Sequence, residues 1–187
     1  MKKNLFAVLV VLLVVTMVST TVSAGGNIKL SSAFSLRSLF ADVTATGLSS
    51  TDYTFELAAS GVASVVCTNY GGNQAPGQNS PHVDGTDLAN VGKADITKNG
   101  KATFSLEAVP PEELNPYISW DAGGCPNSNW TAMIDFVYWQ SATITAYNKL
   151  TQAFVKQFTY QCVTTRTGPN STPSTFDDGT VSCTRVN

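Results

Sequence analysis

One histidine, a scatter of carboxylates, four cysteines and a run of aromatics are the groups in this chain whose chemistry could be put to use. His82, the sole histidine, stands in "SPHVDG". A serine hydrolase needs such an imidazole to take the hydroxyl proton, with a carboxylate holding the ring. No G-x-S-x-G elbow accompanies it, so His82 reads as a surface residue. Glycoside hydrolysis needs two carboxyl groups facing each other across the scissile bond. Asp84, Asp87, Glu112, Glu113, Asp121, Asp177 and Asp178 are the loop candidates. None sits in a catalytic signature, and Asp84-Gly85 and Asp178-Gly179 read as turn dipeptides. The "DGTD" stretch at 84–87 and "FDDG" at 176–179 hold oxygen ligands of the kind calcium uses, but neither matches an EF-hand. No catalytic residue, metal ligand or cofactor is expected.

The aromatics are the better ligand signal. Tyr117, Trp120, Trp130, Tyr138 and Trp139 lie close together in the chain. Exposed rings of this type stack on sugars, whereas buried ones fill a core. Trp120 and Trp139 are the candidate ligand contacts. Trp139 follows Tyr138 in a strand, so the two must point to opposite faces, and one of them is expected outside.

The first 24 residues read as an address. Lys2 and Lys3 precede an apolar run from Leu5 to Val18, and "STTVSA" supplies small residues for cleavage after Ala24. The run is short for a membrane span and lacks a basic stop-transfer flank. A cleaved signal peptide is the expectation, and an uncleaved anchor the alternative. Residues 25–187 then suffice for one secreted domain that buries roughly 70% of its unfolded surface. An even number of cysteines in an exported chain argues for two disulfides. Zinc would need clustered ligands, and Cys67, Cys125, Cys162 and Cys183 are widely spaced.

Alternation of apolar and polar residues dominates the chain. "SLFADVTATG", "YTFELAAS", "VASVVCT", "KATFSLEA", "WTAMIDFVYW", "SATITAY", "QAFVKQFTYQCV" and "TVSCTRV" each alternate. Gly61 separates the second run from the third, which reads as a hairpin. Asn99-Gly100 marks another tight turn. "LSSAFSLRSLF" carries too many serines for a good helix, and "VPPEELN" has room for one helical turn. The reading is an all-β fold of about eight strands, an antiparallel β-sandwich of immunoglobulin-like kind, with a closed β-barrel as alternative. Antiparallel pairing of "FTYQCV" with "TVSCTRV" joins Cys162 to Cys183. That leaves Cys67 for Cys125.

Such a bridge explains "CTNYGGNQAPGQN", Cys67 to Asn79. The loop lacks the Lys-Ser/Thr ending of a phosphate cradle and no helix follows it. Its glycines permit unusual backbone angles, and its amides can pair with bare backbone groups. It reads as a loop that is held, with a contact role as the alternative. Charge is sparse, 11 basic against 13 acidic residues. With Lys2 and Lys3 removed, nine remain against 13, a net of about −4. No basic stripe exists, which disfavours nucleic acid and anionic membrane as partners.

"CTNYGGNQAPGQN", "CPNSNWTA" and the C-terminal cysteine pair together resemble a group of small secreted proteins of actinobacteria and related soil bacteria. The likeness covers most of the chain after the leader, and the two cysteine-centred motifs carry it. It implies an exported, disulfide-bonded β domain and brings no catalytic residue. "PHVDGTDLANVG" departs from the group's more regular strand. The functional expectation is an exported, non-enzymatic module with a structural or surface-interaction role and an unidentified extracellular partner. Carbohydrate binding through exposed aromatics, and a secreted hydrolase using loop carboxylates, are the alternatives.

Overall fold

The computed structural model describes residues 27–35, 38–110, 116–167 and 179–186. The leader, Glu112, Glu113, Asp177 and Asp178 lie outside the described residues, as does most of "VPPEELN". Ten strands are present among the described residues: β1 Lys29–Ser35, β2 Leu39–Thr46, β3 Tyr53–Asn69, β4 Gln74–Pro76, β5 His82–Val91, β6 Ala102–Ala108, β7 Tyr117–Ile118, β8 Trp130–Asn148, β9 Phe154–Arg166 and β10 Gly179–Arg185. They form two antiparallel sheets packed as a sandwich. The small sheet has the order β1-β2-β6. The large one runs β10-β9-β8-β3, with β4 and β5 sharing the far edge of β3 and a short β7 against β8. It curls, and a single bridge between Thr86 and Val109 links its edge to the small sheet.

The alternation read from the sequence sets the core. Leu39, Ala41, Val43 and Ala45 of β2 face Tyr53, Phe55, Leu57 and Ala59 of β3, and all are buried. Phe55 meets Phe104 of β6 with ring centroids 4.5 Å apart. The serine-rich "KLSSAFS" is strand β1.

Three expectations are corrected. Gly61 makes no hairpin: β3 is one strand of 17 residues, and "WTAMIDFVYW" with "SATITAY" is likewise one strand, β8, of 19. Four strands (β1, β4, β5 and β7) come in addition to the alternating runs, which with the two mergers turns eight into ten. Asp84-Gly85 is mid-strand in β5, opposite Ser60 and Ala59 of β3. The glycine serves close approach instead of a turn, since a Cβ on Gly85 would lie 2.8 Å from the Ala108 carbonyl oxygen.

Straight, a strand of 19 residues would run about 60 Å. Two register shifts in the β3–β8 ladder bend it, between Ser60 and Gly61 and between Ser64 and Val65. Each adds one β8 residue, Gln140 and Asp135, with no counterpart on β3. Bulges of this kind add local twist and re-aim side chains. The buried inner face of β8 therefore steps through Ala132 and Ile134, then Val137 and Trp139, then Ala142, Ile144 and Ala146. Gly61 makes the upper bulge possible: a Cβ there would sit 2.5 Å from the Tyr138 carbonyl oxygen. Gly61→Ala is expected to destabilise the fold by about 1–3 kcal/mol, the range for overpacking a close contact. An unchanged denaturant midpoint for this variant would contradict the bulge geometry.

Candidate functional site

The loop after Cys67 is built from its own polar groups. Asn69 Oδ1 accepts the backbone N–H of Gly71 and of Asn73, both at 2.9 Å. This Asx turn reverses the chain into β4, which lies beside the end of β3 with Ala75 opposite Cys67. The segment after β4 then meets the loop before Cys125. Gln78 N–H donates to the Gly124 carbonyl at 3.3 Å and Asn79 N–H to Gly123 at 3.4 Å. The Asn79 amide nitrogen donates to the Asp121 carbonyl at 3.0 Å. The second loop closes on itself through Cys125 N–H to the Trp120 carbonyl at 2.8 Å. Between the loops lies the Cys67–Cys125 disulfide, with both residues buried. Cys162 and Cys183 are paired, directly opposite each other on β9 and β10. Both pairings are those read from the sequence. Two of the loop's amides, Asn69 and Asn79, bind backbone as expected.

Cys67 and Ala132 point inward at this end of the β3–β8 ladder. Thr68 and Thr131 are therefore paired on the outer face, and Met133 shares that face with Tyr117 opposite it on β7. Thr68, Asn69, Tyr70, Tyr117, Thr131 and Met133 line an open groove of about 290 Å³. Tyr70 is 90% exposed and Tyr117 59%. Trp120, in the neighbouring loop, is 40% exposed. Trp139 is not a ligand contact: it is 1% exposed and belongs to the core. The bulges decide this, because they turn Trp139 inward and leave half-buried Tyr138 on the outer face.

The carboxylates scatter. Asp87 accepts the Glu107 backbone N–H at 2.8 Å and so ties β5 to β6. Asp121 is fully exposed, and its carboxyl is held below the ordinary aspartate value, first by the Ser119 hydroxyl and then by the Ala122 backbone N–H. A carboxyl lowered in this way is a poor proton donor at neutral pH. His82 does find a serine, which no local motif reveals because the partner comes from another strand. Ser60 Oγ lies 3.1 Å from His82 Nε2, and His82 Nδ1 lies 3.4 Å from Asp84 Oδ2.

Two charges are hidden where the large sheet splits. β9 pairs with β8 only as far as Gln161 opposite Ser141. Beyond that, Thr164 Oγ1 donates to the Trp139 carbonyl at 3.1 Å, and Arg166 Nη1 donates to Asp135 Oδ2 at 2.5 Å. Both charged side chains are buried, and the guanidinium also lies 5.5 Å from the Phe136 ring centroid. The pair borders a cavity of about 200 Å³ together with Ser64, Val66, Pro76 and Asn79.

No protein-family model matches the chain, and no curated protein matches it in sequence. Among solved structures, a β-glucuronidase of Bacteroides uniformis is similar over 77% of this chain and 14% of its own, at 10% identity and a TM-score of 0.26. A likeness that slight says nothing about activity.

Proposed function

We propose that the protein is an exported, non-enzymatic β-sandwich module that makes a surface contact through the end tied by Cys67–Cys125. One observation carries the reading. Two glycine- and amide-rich loops are locked to each other by a disulfide and by hydrogen bonds between them, and Tyr70, Tyr117 and Trp120 stand exposed around them. A rigid surface of exposed aromatics binds at a low entropic cost, because little is left to order on contact. The two disulfides fit an oxidising compartment. Among the described residues no helix is long and apolar enough to cross a membrane.

Ser60, His82 and Asp84 do not count against this. Acyl transfer needs backbone N–H donors waiting for an oxyanion, in a site shielded from water. Ser60 is mid-strand with ladder partners on both sides, Asp84 on β5 and Ser141 on β8. His82 and Asp84 are both mostly exposed, and 3.4 Å is long for an orienting N–H···O bond. Ser60 is accordingly expected to stay unlabelled by a fluorophosphonate under conditions that fully label a serine esterase. Mass-spectrometric detection of the adduct on Ser60, lost in His82→Ala, would replace the module with an enzyme. The contact itself is tested by retention on insoluble polysaccharides and immobilised peptides. Retention that persists in the double variant Tyr70→Ala/Tyr117→Ala would move the contact away from this end.

A further inference from the structure

The geometry points to a neutral saccharide as the occupant of the groove between Tyr70 and Tyr117, an inference that rests on this end of the sandwich being the contact surface. Among the described residues the lining contains no Asp, Glu, Lys or Arg. A charged ligand would find nothing among them to offset its desolvation. What the groove offers is of two kinds. The two tyrosine rings and Met133 give apolar surface for the C–H faces of a pyranose. The hydroxyls of Thr68, Thr131, Tyr70 and Tyr117 each both donate and accept, as sugar hydroxyls do. Asn69 completes the set: its Oδ1 is committed to Gly71 and Asn73, which leaves its NH₂ as the group presented to a ligand.

Size agrees. About 290 Å³ lies just below the usual range of ligand sites, and the groove opens to solvent. It suits one or two rings of a longer chain running across the sheet face. The walls come from three strands and one locked turn. Thr68 is next to the disulfide at Cys67, Thr131 is its ladder partner, and Tyr117 is pinned opposite Met133. A proline-rich peptide is the rival, since aromatic grooves also take polyproline helices. Such a peptide supplies carbonyl acceptors and few donors. A set of groups that both donate and accept is better matched by sugar hydroxyls.

The test is an NMR titration of the oxidised, ¹⁵N-labelled secreted chain with soluble hexaoses of β-1,4-glucan, β-1,4-xylan, β-1,4-mannan, α-1,4-glucan and chitin. At least one is expected to shift the amides of Thr68 to Asn73, Tyr117, Ile118 and Thr131 to Met133. Tyr117→Ala should then weaken binding at least tenfold, and Thr131→Val, which keeps shape and removes the hydroxyl, by a smaller factor. An acidic galacturonate oligomer and a proline-rich decapeptide should leave those amides unmoved. No response there to any of the five neutral hexaoses at millimolar concentration overturns the assignment. A response to the decapeptide alone overturns the saccharide but keeps the surface. Shifts confined to the β8–β9 hairpin around Leu150 and Phe154 sink both.

Discussion

Replacing Cys67 and Cys125 together by alanine is expected to lower the melting temperature by about 10 °C. The bridge joins residues 58 apart. Closing a loop of that length removes about 4 kcal/mol of denatured-chain entropy in the loop model. For a chain of this size each kcal/mol moves the midpoint by about 2–4 °C. Cys162–Cys183 spans 21 residues and stays intact in this variant, so the measurement isolates one bridge. Because the effect acts on the unfolded chain, the denaturant m-value should rise as that chain expands. Amides of 69–73 and 119–125 should exchange faster than those of the β3–β5 ladder. A loss under about 3 °C, a bound set by the same scaling, would mean that the bonds from Asn79 and Gln78 to the second loop hold this end without the sulfurs. Hydrogen bonds count less in that comparison, at about 1 kcal/mol net each, and the two backbone bonds of 3.3 and 3.4 Å are long.

Both disulfides are legible in the sequence: Cys162–Cys183 follows from strand pairing, which alternation reveals, and Cys67–Cys125 is the pair that remains. The inner faces of β2, β3 and β6 are legible for the same reason. Strand length is not. Gly61 and Gly85 each interrupt an apolar pattern, and from sequence an interruption by glycine reads as a turn. In the fold both are places where another strand's carbonyl comes too near for a Cβ. A bulge on β8 has the same disguise: it shifts alternation by one residue, so one strand looks like two. That shift also hides the burial of Trp139, whose neighbour Tyr138 is the outward member of the pair. Tyr70 stands inside the loop motif with no pattern to mark it, since its exposure depends on the Asx turn of Asn69 that spans it. Asp135 leaves a clearer trace. A lone carboxylate in "AMIDFVYW" breaks an apolar stretch, and a charge there needs a partner or an outward turn. Nothing in the sequence identifies Arg166 as that partner, because the contact forms only where β9 leaves β8.

That buried pair sets the second large effect. Asp135→Leu is expected to cost about 3–5 kcal/mol, the usual result of removing one partner of a buried ion pair. Arg166→Met should cost a similar amount, for it takes the guanidinium away from the buried carboxylate. The two losses should not add. Replacing both, Asp135→Leu with Arg166→Met, is expected to recover most of the stability, since a buried ion pair is often no better than well-packed apolar groups of similar volume. A double-mutant cycle from chemical denaturation measures this directly, and a coupling below about 1 kcal/mol would mean that the two sites behave independently. Specificity gives the pair a second role. Asp135 is the extra residue of the lower bulge, and the bulge decides which β8 side chains face out. Arg166, buried and held by β9, fixes Asp135 in that position. In the stabilised double variant the bulge loses its anchor. The parity of Thr131 and Met133 is then free to slip against Thr68 and Tyr117. Saccharide-induced shifts in the groove should therefore weaken in a variant whose melting temperature has recovered, a separation that a purely stabilising ion pair would not produce.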